Sequence, residues 1–189
     1  LDMGHFVGAP FLLEEFLEGR EYSIEGYVDR GQPHVTAVTE KQLGGAPYFV
    51  EMGHVVEAAL GEKERQSLVS YVEQVALAID LGLGVFHAEA RMTQRGPVLI
   101  EINCRLGGDR IPRLVELTQG LSLAATMIRS YCRMENPAKA DPLWERRGIA
   151  GVRFLSLDGG EQIGIADGVE EVRAMPGCDE VELYFQEGY

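Results

Sequence analysis

Two neighbouring stretches carry the residues best suited to chemistry. In 84–93, GVFHAEARMT, the polar residues His87, Glu89 and Arg91 alternate with Phe86, Ala88, Ala90 and Met92. In 98–106, VLIEINCRL, Glu101, Asn103 and Arg105 alternate with Val98, Ile100, Ile102 and Cys104. Side chains two apart on a strand share a face. A hairpin turning at Gln94-Arg95-Gly96-Pro97 and aligning the polar faces gathers Glu89, Glu101 and Asn103. These hard oxygen donors suit magnesium, which takes oxygen ligands in octahedral geometry and keeps some of its waters for substrate phosphates. Two carboxylates brought together without a cation repel each other, and a bound metal removes that conflict. A half-exposed hairpin with solvated charges alternates in the same way. What adds weight is the run Arg105-Leu106-Gly107-Gly108-Asp109-Arg110-Ile111-Pro112, which places the pair Gly107 and Gly108 just before a helix start, where backbone amides can point at an anion.

The surrounding elements must hold these residues. Residues 11–17 and 21–29 read as β-prone runs separated by a turn at Gly19, and Arg30-Gly31-Gln32-Pro33 leads into a third run over 34–39, an antiparallel meander. Residues 44–61, punctuated by Gly and Pro, read as a long loop with a short extended piece near 48–51, and a long loop in a compact domain is usually functional. Over 62–81, Leu68, Val72, Val75 and Ile79 trace one stripe of an amphipathic helix closed by Gly82. A short helix over 112–118 ends at Gly120, and Ser122 caps another running to about Cys132. Residues 134–147 read as a linker. Beyond it, runs at 149–157, 170–175 and 180–186 read as short strands of a small β-rich subdomain.

The 189 residues suffice for a sizeable core, and 46% hydrophobic with 25% charged residues is an ordinary globular composition. No apolar run approaches the roughly 20 residues of a membrane span, so no membrane partner is expected. Seventeen basic against 30 acidic residues, net −13, argue against nucleic acid, whereas a nucleotide bridged by metal ions remains admissible. Three scattered cysteines indicate neither a disulfide framework nor a CxxC metal site, which suits a reducing cytoplasm. The N-terminus has no signal-peptide character, and its start at Leu1 suggests a piece of a longer chain.

The segments LLEEFLEGREYSIEGYV, PYFVEMGH, FHAEAR and IEINCRLGGDRIP together resemble the ATP-grasp ligases, and among them the L-amino-acid ligases that form dipeptides, over nearly the whole chain. The resemblance implies an α+β fold: the C-terminal ATP-grasp subdomain, an antiparallel sheet with flanking helices, over 1–138, and the small β-rich C-terminal subdomain over 147–189. The first ATP-grasp subdomain and a preceding domain would lie upstream. It implies ATP and magnesium, with manganese an acceptable substitute, and small carboxylate and amine substrates, amino acids above all. Leu13–Leu17, including Phe16 and Leu17, matches the hinge strand that holds adenine. Glu14 or Glu15 assists at the adenine amino group, with the choice left open. Glu21 matches the acid on the ribose hydroxyls, and Lys41 is placed as a phosphate contact. Glu89, Glu101 and Asn103 match the magnesium ligands, and Arg105 the catalytic arginine near the reacting phosphoryl and acyl groups. Glu51 and His54 resemble a substrate-contacting pair, beside Gly107 and Gly108; His87 receives no role. The reaction implied is phosphoryl transfer to a carboxylate followed by amine attack on the acyl phosphate, with little activity expected of these 189 residues alone. A carboxylase, a purine-pathway ligase or a non-catalytic nucleotide-binding module are the alternatives, and a homodimer is admitted.

Overall fold

The computed structural model describes residues 12–46, 48–134, 148–155 and 167–183. The chain divides into two compact units, Leu1–Phe154 and Leu155–Tyr189.

The first unit is built on a six-stranded sheet. Strands β1 (Arg20–Asp29), β2 (Gln32–Leu43) and β3 (Glu51–Val56) form the meander; β4 (Gly84–Thr93) and β5 (Gly96–Asn103) form the hairpin; β6 (Ala150–Arg153) adds the far edge. The order is β5-β4-β1-β2-β3-β6, with every neighbouring pair antiparallel. Helix α1 (Glu62–Ala78) connects β3 to β4 across one face, while α2 (Ile111–Gln119) and α3 (Leu123–Tyr131) follow β5. Two cores result. Tyr22, Ile24, Val28, Val38, Phe86, Ala88 and Ala90 pack with Leu68 and Val72 of α1. Tyr27, Ala37, Val56 and Val85 pack with Ile111, Leu114, Val115 and Leu123 of α2 and α3 on the other face. Because α2 and α3 are short, nine residues each, they cover only part of that second face.

Local signals set the helix ends. The Glu64 carboxylate reaches back to the Gly61 amide at the start of α1, Gly120 closes α2 in the left-handed conformation, and the Ser122 hydroxyl accepts from the Ala125 amide to cap α3. The buried stripe of α1 is Leu68, Val72 and Ala76; Ile79, expected on it, is half exposed because the helix has already ended.

Several sequence expectations are corrected. Residues 12–18 form no strand. A side chain at Gly19 would meet the Met92 carbonyl oxygen at 2.1 Å, and the chain enters the sheet only at Arg20, where it pairs with Met92. Glu51 and His54 lie on β3, not in a loop. The run at 149–157 contributes β6, which pairs with β3 of the main sheet. In the second unit residues 169–173 are a helix, α4 (Val169–Arg173), where a strand was expected over 170–175; Glu170 and Glu171 sit in its first turn and Arg173 in its last, the charge order that favours a helix. Residues 180–183 have no regular structure, and 184–186 lie outside the described residues, as does the linker from 135 to 147. No helix of the described residues is long and apolar enough to cross a membrane.

Candidate functional site

The part of the second sheet face that α2 and α3 leave open carries a polar and charged network drawn from five strands, β1 to β5. Register explains the gathering. Glu21 of β1 stands opposite Arg91 of β4, Ser23 opposite Glu89, and Glu25 opposite His87. On the next strand Glu89 stands opposite Glu101, and His87 opposite Asn103. Directly opposed residues share a face, so 87–89 and 101–103 align their polar residues as the alternation predicted; nearer the turn a register shift between Glu89 and Ala90 sets Val98, expected on the apolar face, opposite Arg91. On the other flank Lys41 stands opposite His54. A register shift between Gln42 and Leu43 pairs Leu43 with Glu51, which brings Glu51 onto the face of Lys41 and His54 although a spacing of three would otherwise put it on the opposite side.

Lys41 is the hub. Its Nζ donates to Glu21 Oε1 at 2.8 Å, Glu51 Oε1 at 2.6 Å and Glu89 Oε1 at 2.8 Å, and its side chain is only 3% exposed. Burial disfavours the charged amine, but its hydrogen bonds to Glu21, Glu51 and Glu89 outweigh that and raise its pKa. Arg91 grips Glu21 Oε2 through Nε at 3.1 Å and Nη2 at 2.9 Å, and donates Nη1 to the Leu17 carbonyl. His87 spans two acids, with Nδ1 at 2.6 Å from Glu25 Oε1 and Nε2 at 3.3 Å from Glu89 Oε1. Burial of the ring opposes its charge, but the hydrogen bonds to Glu25 and Glu89 prevail and hold the imidazolium to about pH 9. The His87 hydrogen bond, against burial and with help from Lys41, lowers the Glu89 carboxyl to about 2.

Glu89 and Glu101, with His87, place ligand atoms within 4.8 Å of one another, as do Glu51, His54 and Asp109. Asn103 donates Nδ2 to Glu101 Oε1 at 2.7 Å. Glu89 and Glu101 with the Asn103 amide oxygen are a donor set of the kind a hard divalent cation takes. His54 is fully buried, with Nε2 at 3.2 Å from Glu51 and 3.6 Å from Asp109, and neither ring nitrogen makes a hydrogen bond with any described residue.

The remaining sequence-predicted residues are less tightly gathered. Phe16 lies 6.1 Å from the Phe49 ring and under the Arg91 guanidinium, 5.2 Å from it; Leu17 offers its carbonyl to Arg91. Glu14 is exposed, and Glu15 pairs with Arg95 at 2.9 Å in solvent. Arg105 is exposed and donates to the Leu106 carbonyl rather than entering the network. Gly107 backs directly onto the Glu25–His87 pair, and Gly108 accepts from the Ile111 amide at the start of α2. The sequence reading left Glu25, Arg91, His87 and Asp109 without roles. The signal for the first lies in Glu21-x-Ser23-x-Glu25, an alternation that puts both acids on the site face.

A family model described as an ATP-grasp domain matches residues 3–113. An uncharacterized protein of Sinorhizobium fredii is 29% identical over 177 residues, 94% of this chain and 35% of that protein. Dapdiamide A synthase of Enterobacter agglomerans is 32% identical over 141 residues, 71% of this chain and 32% of that enzyme. The chain thus spans about a third of the length of these curated relatives. An L-amino acid ligase from Bacillus licheniformis superposes with a TM-score of 0.79 over 92% of this chain and 44% of that structure at 24% identity, a likeness of fold. The matched span contains every strand of the charged network and exceeds half of the 189 residues, and on that ground the chain belongs to the ATP-grasp family.

Proposed function

We propose that this chain is the nucleotide- and metal-binding half of an ATP-dependent carboxylate–amine ligase that joins amino-acid substrates. The observation that carries the reading is the open sheet face on which Glu89, Glu101 and Asn103 stand beside Lys41, Glu21 and Arg91. The likeness to dapdiamide A synthase and to an L-amino acid ligase supports the choice of an amide-forming reaction and of amino acids as substrates. The first compact unit would be the second ATP-grasp subdomain, and the second unit a small appended one. A cytoplasmic setting and a homodimer complete the reading.

In this reading Glu89, Glu101 and Asn103 hold magnesium, which when bound neutralises charge on the β- and γ-phosphates. Glu21 is held by Arg91 and Lys41 with its carboxylate fixed for a ribose hydroxyl. Phe16, Leu17 and Phe49 border the adenine, with Glu14 or Glu15 near its amino group. Lys41 offers positive charge to a phosphate, in exchange with the acids that now surround it. Glu51 and His54 meet the substrate on the far flank, where the buried imidazole and the acid can grip an amine. Gly107 and Gly108 let backbone amides approach the anion. Arg105, free of the network, can swing to the acyl phosphate and the tetrahedral species that follows.

The test is phosphate release from ATP by the full-length protein across a panel of amino acids, with a Glu101→Ala variant alongside. Release that requires an amino-acid pair and disappears in the variant is expected. Release that requires bicarbonate or a purine intermediate moves the protein to another ATP-grasp branch. Nucleotide binding with no turnover on any acceptor identifies a binding module.

A further inference from the structure

We infer that Glu25 and His87 are a positioning pair that grips Glu89 by one of its two oxygens and thereby presents the other to a divalent cation; the inference rests on the metal site proposed above.

Glu25 is fully buried in the middle of β1. A carboxylate in such a place is costly unless paired and hydrogen-bonded. Its partner is the His87 ring, at 2.6 Å through Oε1, while its Oε2 makes no hydrogen bond. The contact fixes Nδ1 as a donor and turns Nε2 toward Glu89. Nε2 then lies 3.3 Å from Glu89 Oε1, the same oxygen that Lys41 Nζ approaches at 2.8 Å. Two donors on Oε1 set the rotamer of Glu89, and Oε2 takes no hydrogen bond from any described residue. A carboxylate gripped on one oxygen is oriented for a metal on the other. Outer partners of this kind govern metal-ligand geometry elsewhere, and their loss commonly weakens metal binding about ten- to a hundredfold.

The loop before α2 closes over the pair. A Cβ at Gly107 would lie 3.0 Å from His87 Nδ1 and 3.2 Å from each Glu25 oxygen. The pair therefore ties β1 to β4 and sets how closely the loop carrying Gly107 and Gly108 approaches the metal-facing carboxylates. A buried ion pair that served stability alone would have no need to share an oxygen with Lys41 on Glu89.

The test uses Mn2+ as probe, titrated into the full-length protein and followed by electron paramagnetic resonance, for wild type, Glu25→Gln, His87→Gln and the double variant. Adenosine binding is measured in parallel without metal. Each single variant should weaken Mn2+ binding at least tenfold, the double variant should add less than twofold to His87→Gln, and adenosine affinity should stay within twofold. Gly107→Ala, which presses on the pair from outside, should weaken Mn2+ binding in the same direction, and it carries the test if the buried substitutions prevent folding. Folded variants that bind Mn2+ as wild type does overturn the inference. So does an equal loss of adenosine affinity, which marks a purely structural role. Nitrogen modulation on the Mn2+ spin echo that vanishes in His87→Gln overturns it too, because it makes His87 a ligand. Failure of the wild type to bind Mn2+ removes the metal site itself, a result distinct from unchanged binding in the variants.

Discussion

At the level of single residues the site is governed by the ratio of acids to buried cations. Lys41 neutralises part of the charge of Glu21, Glu51 and Glu89 from a position almost out of solvent, so removing it leaves three facing carboxylates with less compensation. Lys41→Met should destabilise the metal-free fold by about 3 kcal/mol or more, measured by urea unfolding, and millimolar Mg2+ should recover part of the loss. The hydrogen bonds of His87 to Glu25 and to Glu89 make stability depend on pH in both directions. His87 is raised from 6.5 to about 9. Its contribution is complete below about pH 6.5 and is lost as pH rises through 9. Glu89 is lowered from 4.5 to about 2, so its contribution is complete above about pH 4.5 and is lost as pH falls toward 2. Metal-free protein in EDTA should therefore be most stable near pH 4.5–6.5 as far as these groups are concerned, and should weaken by a few kcal/mol toward pH 9. The two groups are coupled through their mutual contact, so the losses do not simply add. A His87→Gln variant should lose the alkaline limb; a wild-type profile flat between pH 6.5 and 9 would contradict the assignment.

At the level of elements, what the sequence made legible follows period and parity. Alternation in 84–93 and 101–103 identified the hairpin and the shared face of Glu89, Glu101 and Asn103, because parity holds within the regular stretch that pairs 87–89 with 101–103; a register shift between Glu89 and Ala90 interrupts it nearer the turn. The irregular pairings were hidden. The shift between Gln42 and Leu43 that brings Glu51 beside His54 leaves no local signature, and without it a three-residue spacing on a strand argues against a joint site. Residues 12–18 are apolar enough to read as a strand, yet no neighbour offers them a ladder, and pairing is a tertiary property that propensity does not report. The roles of Glu25 and His87 were obscured for a related reason: their importance lies in burial and in mutual contact across 62 residues of sequence. Close packing between β1 and β4 gives an element-scale test. A Cβ at Gly26 would fall 2.2 Å from a Phe86 ring carbon and 2.6 Å from the His34 carbonyl oxygen. Gly26→Ala should accordingly cost about 3 kcal/mol in urea unfolding, whereas Gly45→Ala, in open space, should stay within about 0.5 kcal/mol.

At the level of the whole molecule, a chain of net charge −13 that belongs to a nucleotide-using family must reconcile an acidic surface with a polyanionic ligand. Its buried cations resolve this only in part, since Lys41 and Arg91 are already engaged with acids of the same face and Lys41 reaches a phosphate only in exchange with them. In the function proposed above, ions that join protein oxygen to phosphate oxygen supply the rest of the balance. Divalent cation and nucleotide should therefore bind cooperatively: each supplies what the other lacks, and linkage makes the coupling reciprocal. Calorimetry on the full-length protein should show ATP affinity falling by about a hundredfold or more when Mg2+ is replaced by EDTA, a coupling near the upper end of ordinary allosteric values. Adenosine, which carries no phosphate, should bind equally in both buffers. Glu101→Ala should abolish most of the difference by lowering the affinity measured with Mg2+ toward that in EDTA, and leave adenosine unaffected. If ATP binds as tightly in EDTA as with Mg2+, the phosphates are held by protein cations alone, and the acidic face formed by Glu89, Glu101 and Asn103 has another purpose.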